Sequence, residues 1–187
     1  MEGGVSIVQF REKGSATNRL EAARAIAEIC RQQGVLFLVN DDPEFARAAR
    51  ADGVHVGRRD PTPATARAIL GPGAIVGVTV YGGESEEEAA QEAGADYVAI
   101  GPFYPSPTKP EDQVAPLAVL DAVVRRTRMP VFAIGGITAK NAGVLASYGV
   151  AGVAVVSAIM DAPDPRRAAE EILAAFRAGQ RSPTKAG

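Results

Sequence analysis

Little in this sequence suggests histidine or cysteine chemistry. Its 187 residues include one cysteine, one histidine and no tryptophan, and only 5% are aromatic. The lone Cys30 excludes a disulfide framework or a cysteine-rich zinc site. A single His55 leaves no set of imidazoles for a histidine metal centre or a triad. The net charge of −2, with no basic run, argues against a general nucleic-acid binder. No apolar stretch approaches the roughly 18 residues of a membrane span. The first residues carry no signal-peptide pattern, so a reduced, cytoplasmic setting is expected. With so few aromatics, the core must be built from Ala, Val, Ile and Leu, the composition of buried parallel strands.

What is present is an alternation. Short Val- and Ile-rich runs at 5–10, 36–40, 53–57, 75–80, 97–101, 131–135 and 152–157 read as strands covered on both faces. Ala-rich helical patterns fill 18–33, 43–51, 63–70, 84–93, 116–127, 138–148 and 165–178. Pro63 and Pro165 suit a first helical turn, and Gly34, Gly94 and Gly149 suit helix ends. Ala51-Asp52-Gly53-Val54-His55-Val56-Gly57 is echoed by Ala95-Asp96-Tyr97-Val98-Ala99-Ile100-Gly101, and more loosely from Ala151. A recurring βα unit implies a parallel sheet. The expectation is an α/β fold, a single (β/α) barrel domain over 1–179 with a flexible tail at 180–187.

Polar residues gather after the strands, where barrel active sites are built. Gln9, Arg11 and Lys13 alternate at one exit, and two cations with an amide suit a phosphate or diphosphate; a solvated charged turn is the other reading. Asp41 and Asp60 follow successive strands. They read either as a Mg²⁺ pair completed by phosphate and water or as helix caps, Asp41 or Asp42 before Pro43 and Asp60 before the helix near Pro63. Ser106, Thr108 and Lys109 lie in a long loop holding four prolines up to Pro110. Gly135-Gly136-Ile137-Thr138 and Val156-Ser157 each read as a strand end passing into a helix, where backbone N–H groups can hold phosphate. His55, mid-strand, reads as a packed core histidine, and Cys30 as a buried hydrophobe. Tyr81 and Tyr104 stand at exits, lining a pocket or covering the barrel mouth.

Taken in order, Gln9–Lys13 (QFREK), Val39-Asn40-Asp41, 52–60 (DGVHVGRRD), 101–109 (GPFYPSPTK), 133–138 (AIGGIT) and 155–159 (VVSAI) resemble thiamin-phosphate synthases. The resemblance spans nearly the whole chain. It implies a cytoplasmic transferase of thiamine biosynthesis on a TIM-type (β/α)8 barrel. Hydroxymethylpyrimidine diphosphate would be joined to a thiazole phosphate, with release of pyrophosphate. It also implies Mg²⁺ at Asp41 and Asp60. Gln9, Arg11, Lys13, Asn40, Thr79 and Lys109 would contact pyrimidine or diphosphate, and Arg11, Lys13 and Lys109 would carry the leaving-group charge. Ser106, Thr108, Gly136, Val156 and Ser157 would hold the thiazole phosphate. Departure of diphosphate before attack by the thiazole nitrogen explains why so few general bases are needed.

The chain departs from the family pattern in places. Thr79 replaces the usual Ser, Tyr81 replaces a frequent His, and Arg58-Arg59 replaces Gln-Glu. Seven strands are counted, so the family's first βα unit is expected to be missing. Either a start upstream of Met1 or a homo-oligomer covering the strand edges is then expected. A related thiazole tautomerase and a non-catalytic thiazole-phosphate-binding protein are the competing readings.

Overall fold

The computed structural model describes residues 3–12, 16–83, 85–105 and 113–182. Strands and helices alternate: β1 (Ile7–Phe10), α1 (Ala16–Gln32), β2 (Leu36–Asn40), α2 (Pro43–Ala49), β3 (Gly53–Val56), α3 (Pro63–Leu70), β4 (Ile75–Val80), α4 (Glu86–Glu92), β5 (Tyr97–Ile100), α5 (Leu117–Arg126), β6 (Val131–Ile134), α6 (Ala142–Ala146), β7 (Gly152–Ala154), α7 (Ser157–Met160) and α8 (Pro165–Gln180). Seven strands make one sheet in the order β1 to β7, and each described pairing is parallel. This is the βα succession of a TIM-type barrel with seven strands, the number counted from the sequence.

The chain divides into two compact units. The first holds the described residues of Val5–Thr79 and Ala89–Tyr97; the second holds those of Val80–Glu88 and Val98–Gly187, with Gly3 and Gly4. In the first unit, strand alternation decides the layering. Phe37, Val39, Val54, Val56 and Val76 turn to the helices and pack with Ala23, Ala27, Cys30, Ala46 and Ala66. The intervening residues, Leu38, Asn40, His55, Gly77 and Thr79, therefore share the opposite face. Small alanines on α1 to α3 let the helices lie close to the sheet. Cys30 is fully buried and unpaired within this core, as expected.

The repeated Ala-Asp motif now has a physical explanation. The Asp52 carboxylate accepts the Phe37 N–H at 2.7 Å, while its own N–H donates to Phe37 O at 2.8 Å. Asp96 makes the same pair with Val76, at 2.7 Å in both directions. Each aspartate, just before one strand, pins the register of the strand preceding it. In the second unit the loose third copy keeps the backbone half: Ala151 N–H donates to Val131 O at 2.8 Å.

Side chains also fix the helix starts. Asp42 accepts from Phe45 N–H at 2.9 Å and Thr62 from Thr65 N–H at 3.2 Å, with prolines opening α2 and α3. Asp164 does the same for α8 at 3.0 Å. In the second unit Val98, Ile100, Leu120, Val123, Leu145, Ile172 and Phe176 are buried.

Two expectations fail here, both in the second unit. The helix expected at 138–148 is confined to α6. Asn141 Oδ1 takes the Thr138 N–H at 2.8 Å, and Asn141 Nδ2 donates to Gly136 O at 3.1 Å, which diverts 136–141 into a turn. The strand expected at 152–157 stops at Ala154, because Val156 O accepts from Ile159 and Met160 N–H and begins α7. At four residues, α7 is too short to leave a periodic pattern.

Candidate active site

The polar face of the first unit is organised as a row across the strands. Asn40 pairs with His55, and His55 pairs with Gly77. From the start of β5, the Tyr97 ring lies across Gly77: a Cβ on that glycine would sit 2.0 Å from Tyr97 Cζ. The missing side chain lets Tyr97 reach His55, with Tyr97 Oη 2.9 Å from Nδ1. The other ring nitrogen, Nε2, lies 2.8 Å from Thr79 Oγ1. His55 is 7% exposed. Burial pushes its pKa down to about 4, against an upward pull from the nearby Asp60 charge. Burial raises the Tyr97 phenol. His55 is thus neutral and bonded through both nitrogens, as a core histidine rather than a base.

At the exits of β1 and β2, Arg11, Glu12, Arg19, Asn40, Asp41 and Asp42 line a cavity of about 240 Å³. A tight turn distributes the two aspartates. Asp41 takes a left-handed φ of 70° and donates its N–H to His55 O at 2.7 Å, whereas Asp42 turns back to cap α2. Asp60 closes the turn after β3, its carboxylate accepting the Gly57 N–H at 2.7 Å. Thr62, not Asp60, caps α3. The cap expected at Asp41 or Asp42 is thus Asp42, and neither Asp41 nor Asp60 caps a helix; Asp60 instead ties the turn after β3.

Asp41 and Asp60 carry oxygen donors of the kind magnesium takes. Asp41 is tied to His55 O and Asp60 to Gly57 N, two residues apart along one chain segment. Among the described residues, no group of three His, Cys, Asp or Glu could hold a metal by itself. Mg²⁺ asks for less, since one or two carboxylates suffice when phosphate oxygens and water complete its shell.

The remaining sequence candidates are distributed as follows. Gln9 lies exposed on β1, its register partner being Leu38. Arg11 lines the cavity and Thr79 bonds His55. Lys13, Ser106, Thr108 and Lys109 lie outside the described residues. In the second unit, Gly136 has φ 65°, and a Cβ there would approach Pro105 O and Tyr104 O at 2.4 and 2.5 Å. Its glycine is thus required by the protein's own backbone, and it sits in a turn rather than at a helix start. Ser157 opens α7 and Val156 is exposed just before it. Tyr81 is 48% exposed.

Sequence reasoning missed Tyr97, Arg19 and Glu12. The Arg19 guanidinium stacks 4.0 Å above the Phe45 ring, a pairing between helices that spacing does not announce. Tyr97 looked like a strand residue of the repeat. The one available clue was the contrast with Gly53 at the corresponding place in the earlier copy.

Comparison with known proteins identifies the arrangement. A family model described as thiamine monophosphate synthase matches residues 1–159. The chain is 50% identical over 179 residues to the thiamine-phosphate synthase of Thiobacillus denitrificans, covering 95% of this chain and 85% of the relative. It is 43% identical to the thiamine-phosphate synthase of Thermoplasma acidophilum, covering 93% and 81% of the two chains. The thiamine phosphate pyrophosphorylase of Pyrococcus furiosus superimposes with a TM-score of 0.86 at 35% identity, covering 95% of this chain and 86% of that one. The chain belongs to the thiamine-phosphate synthase family.

Proposed function

We propose that this transferase joins hydroxymethylpyrimidine diphosphate to thiazole phosphate through the residues described above. The methylene carbon's bond to the diphosphate oxygen breaks, and pyrophosphate leaves with the bonding pair. The thiazole nitrogen then forms the new carbon–nitrogen bond, giving thiamin phosphate. The observation that carries this reading is the cavity at the β1 and β2 exits. There Arg11, Asn40 and Asp41 converge, and Asp41 is held in a left-handed conformation by a bond to His55 O.

In this reading Asp41 and Asp60 hold Mg²⁺, which supplies positive charge to the diphosphate as it leaves. Arg11, Lys13 and Lys109 supply the rest of that charge. Gln9, Asn40 and Thr79 orient the pyrimidine diphosphate. Ser106, Thr108, Val156, Ser157 and the Gly136 N–H hold the thiazole phosphate. His55 takes no proton, since both ring nitrogens are already engaged. A cytoplasmic setting accompanies this reading, supported by the buried free thiol of Cys30. A homo-oligomer is part of it too, supported by the partly exposed terminal strands β1 and β7.

The direct test incubates the purified chain with both substrates and Mg²⁺ and follows pyrophosphate and thiamin phosphate. Equal amounts of the two, abolished by chelator and restored by Mg²⁺, are expected. Isomerisation of the thiazole phosphate without pyrophosphate would instead assign a tautomerase, and binding without turnover a non-catalytic protein.

A further inference from the structure

We propose that His55 and Tyr97 are positioning residues for Thr79, forming a relay in which Tyr97 donates to His55, His55 donates to Thr79, and the Thr79 proton is turned toward the pyrimidine diphosphate. This rests on the reading of Thr79 as a substrate contact. The relay is built from three strands. Tyr97 comes from β5, His55 from β3 and Thr79 from β4, with bonds of 2.9 and 2.8 Å. Gly77 is the gap through which it passes: a Cβ there would lie 2.0 Å from Tyr97 Cζ and 2.4 Å from its Oη. Tyr97 is 9% exposed and His55 7%, so their polar atoms must find hydrogen-bond partners within the protein. An apolar core would fill the same volume without that requirement.

The direction of the relay follows from donor strength. A neutral imidazole has one N–H and one bare nitrogen. A phenol, even one raised by burial as Tyr97 is, is a stronger donor than an alkyl alcohol, so the bare nitrogen faces Tyr97. Nδ1 then accepts from Tyr97, and Nε2 keeps its proton and donates to Thr79 Oγ1. The Thr79 oxygen is occupied as an acceptor, and its own proton is left for a substrate acceptor, a ring nitrogen or a diphosphate oxygen. Successive bonds polarise one another and strengthen that last donor. No covalent bond in the relay changes. Its effect is to select one orientation of a hydroxyl that would otherwise rotate.

The test is a double-mutant cycle with Tyr97→Phe, Thr79→Val and the pair together, with Thr79→Ser as the conservative variant. Tyr97→Phe keeps the ring over Gly77 and removes the first donor. It is expected to lower kcat/KM for the pyrimidine diphosphate about tenfold, with KM for thiazole phosphate unchanged. In the Thr79→Ser background, which keeps the hydroxyl, Tyr97→Phe should still lower kcat/KM by about the same factor. In the Thr79→Val background, Tyr97→Phe should have no further effect, because the relay then has no end. Losses that multiply in the double variant would assign Tyr97 a merely structural part and overturn the proposal. Independently of any variant's folding, ¹⁵N spectra of the single histidine should show Nε2 protonated and Nδ1 bare, and the opposite tautomer would overturn the relay. A parent that releases no pyrophosphate defeats the functional reading itself. A fully active parent with multiplicative losses defeats this inference alone.

Discussion

The two units of the chain solve the same problem by different means. In the first, the candidate groups are side chains on strands whose register is clamped. Asp52 and Asp96 clip the starts of neighbouring strands, Asp42 and Thr62 cap α2 and α3, and β3 is buried throughout. In the second, α5, α6 and α7 have no side-chain cap hydrogen bond, and the three-residue β7 has no fully buried residue. Its candidate groups, at Gly136 and Val156-Ser157, lie on turns and at the edge of a one-turn helix. In the proposed reading, the difference suits the two substrates. Orienting a planar pyrimidine and its leaving group calls for side chains at fixed positions. A phosphate accepts from many directions and can be gripped by backbone N–H groups.

The largest expected effect breaks the first unit's chemistry without touching its fold. Asn tolerates the left-handed backbone of residue 41, so Asp41→Asn removes the carboxylate charge alone. Turnover should fall by on the order of 100-fold, while the melting temperature and thiazole-phosphate affinity stay at parental values. Parental turnover in that variant would remove Asp41 from the metal site.

Next comes the pH response of the polar row. The His55 pKa is lowered from 6.5 to about 4 in the folded protein, so between those values the unfolded chain binds more protons. Stability therefore rises with pH across this window. His55 imposes no penalty above pH 6.5, and its penalty grows as pH falls toward 4, reaching about 3 kcal/mol. Urea melts at pH 7 and 4 should show this loss in the parent and a smaller one in His55→Gln. Equal losses in the two proteins would mean that the imidazole is charged in the fold.

A smaller effect separates the two forms of the repeated clip. Asp52→Ala leaves the Phe37 N–H without its carboxylate and should cost about 1–3 kcal/mol, read from the denaturation midpoint. Asp96→Ala should cost at least as much, since Asp96 also pairs with Arg67 at 2.6 Å. Ala151, the third copy, has no carboxylate to lose, so Ala151→Ser should be near neutral.

The same contrast explains what the sequence made legible. β2, β4 and α3 have the boundaries expected from it, because burial on both faces, an opening proline and a closing glycine all agree there. The exits of β1, β2 and β3, and the polar residues gathered there, followed from strand order, while the part given to Asn40 came from the family resemblance. In the second unit, local side-chain bonds overrode the pattern. The helix expected at 138–148 would open at Thr138, yet Asn141 takes the Thr138 N–H and holds this start in a turn. The Tyr97 relay was illegible for another reason. It joins residues 24 and 42 positions from His55, and only the absent side chain of Gly77 lets them meet.

Asn141 gives the finest test of the difference between the units. Its amide is the main side-chain tie on the turn that presents Gly136, with Oδ1 on the Thr138 N–H at 2.8 Å and Nδ2 on the Gly136 carbonyl at 3.1 Å. One bond is exposed and the other half-buried, so Asn141→Ala should cost only about 1 kcal/mol of stability. Its functional effect should fall on one substrate. Released from the amide, Gly136 loses its fixed orientation, and the Gly136 N–H no longer points steadily at a phosphate. KM for thiazole phosphate should rise several-fold, about 1 kcal/mol of binding, while KM for the pyrimidine diphosphate stays unchanged. Asn141→Asp keeps the acceptor for Thr138 and loses the donor to Gly136, so it should reproduce most of the KM change with a smaller loss of stability. An equal rise in both KM values would show that the turn supports the whole molecule rather than the phosphate grip, and the division of labour between the two units would have to be abandoned.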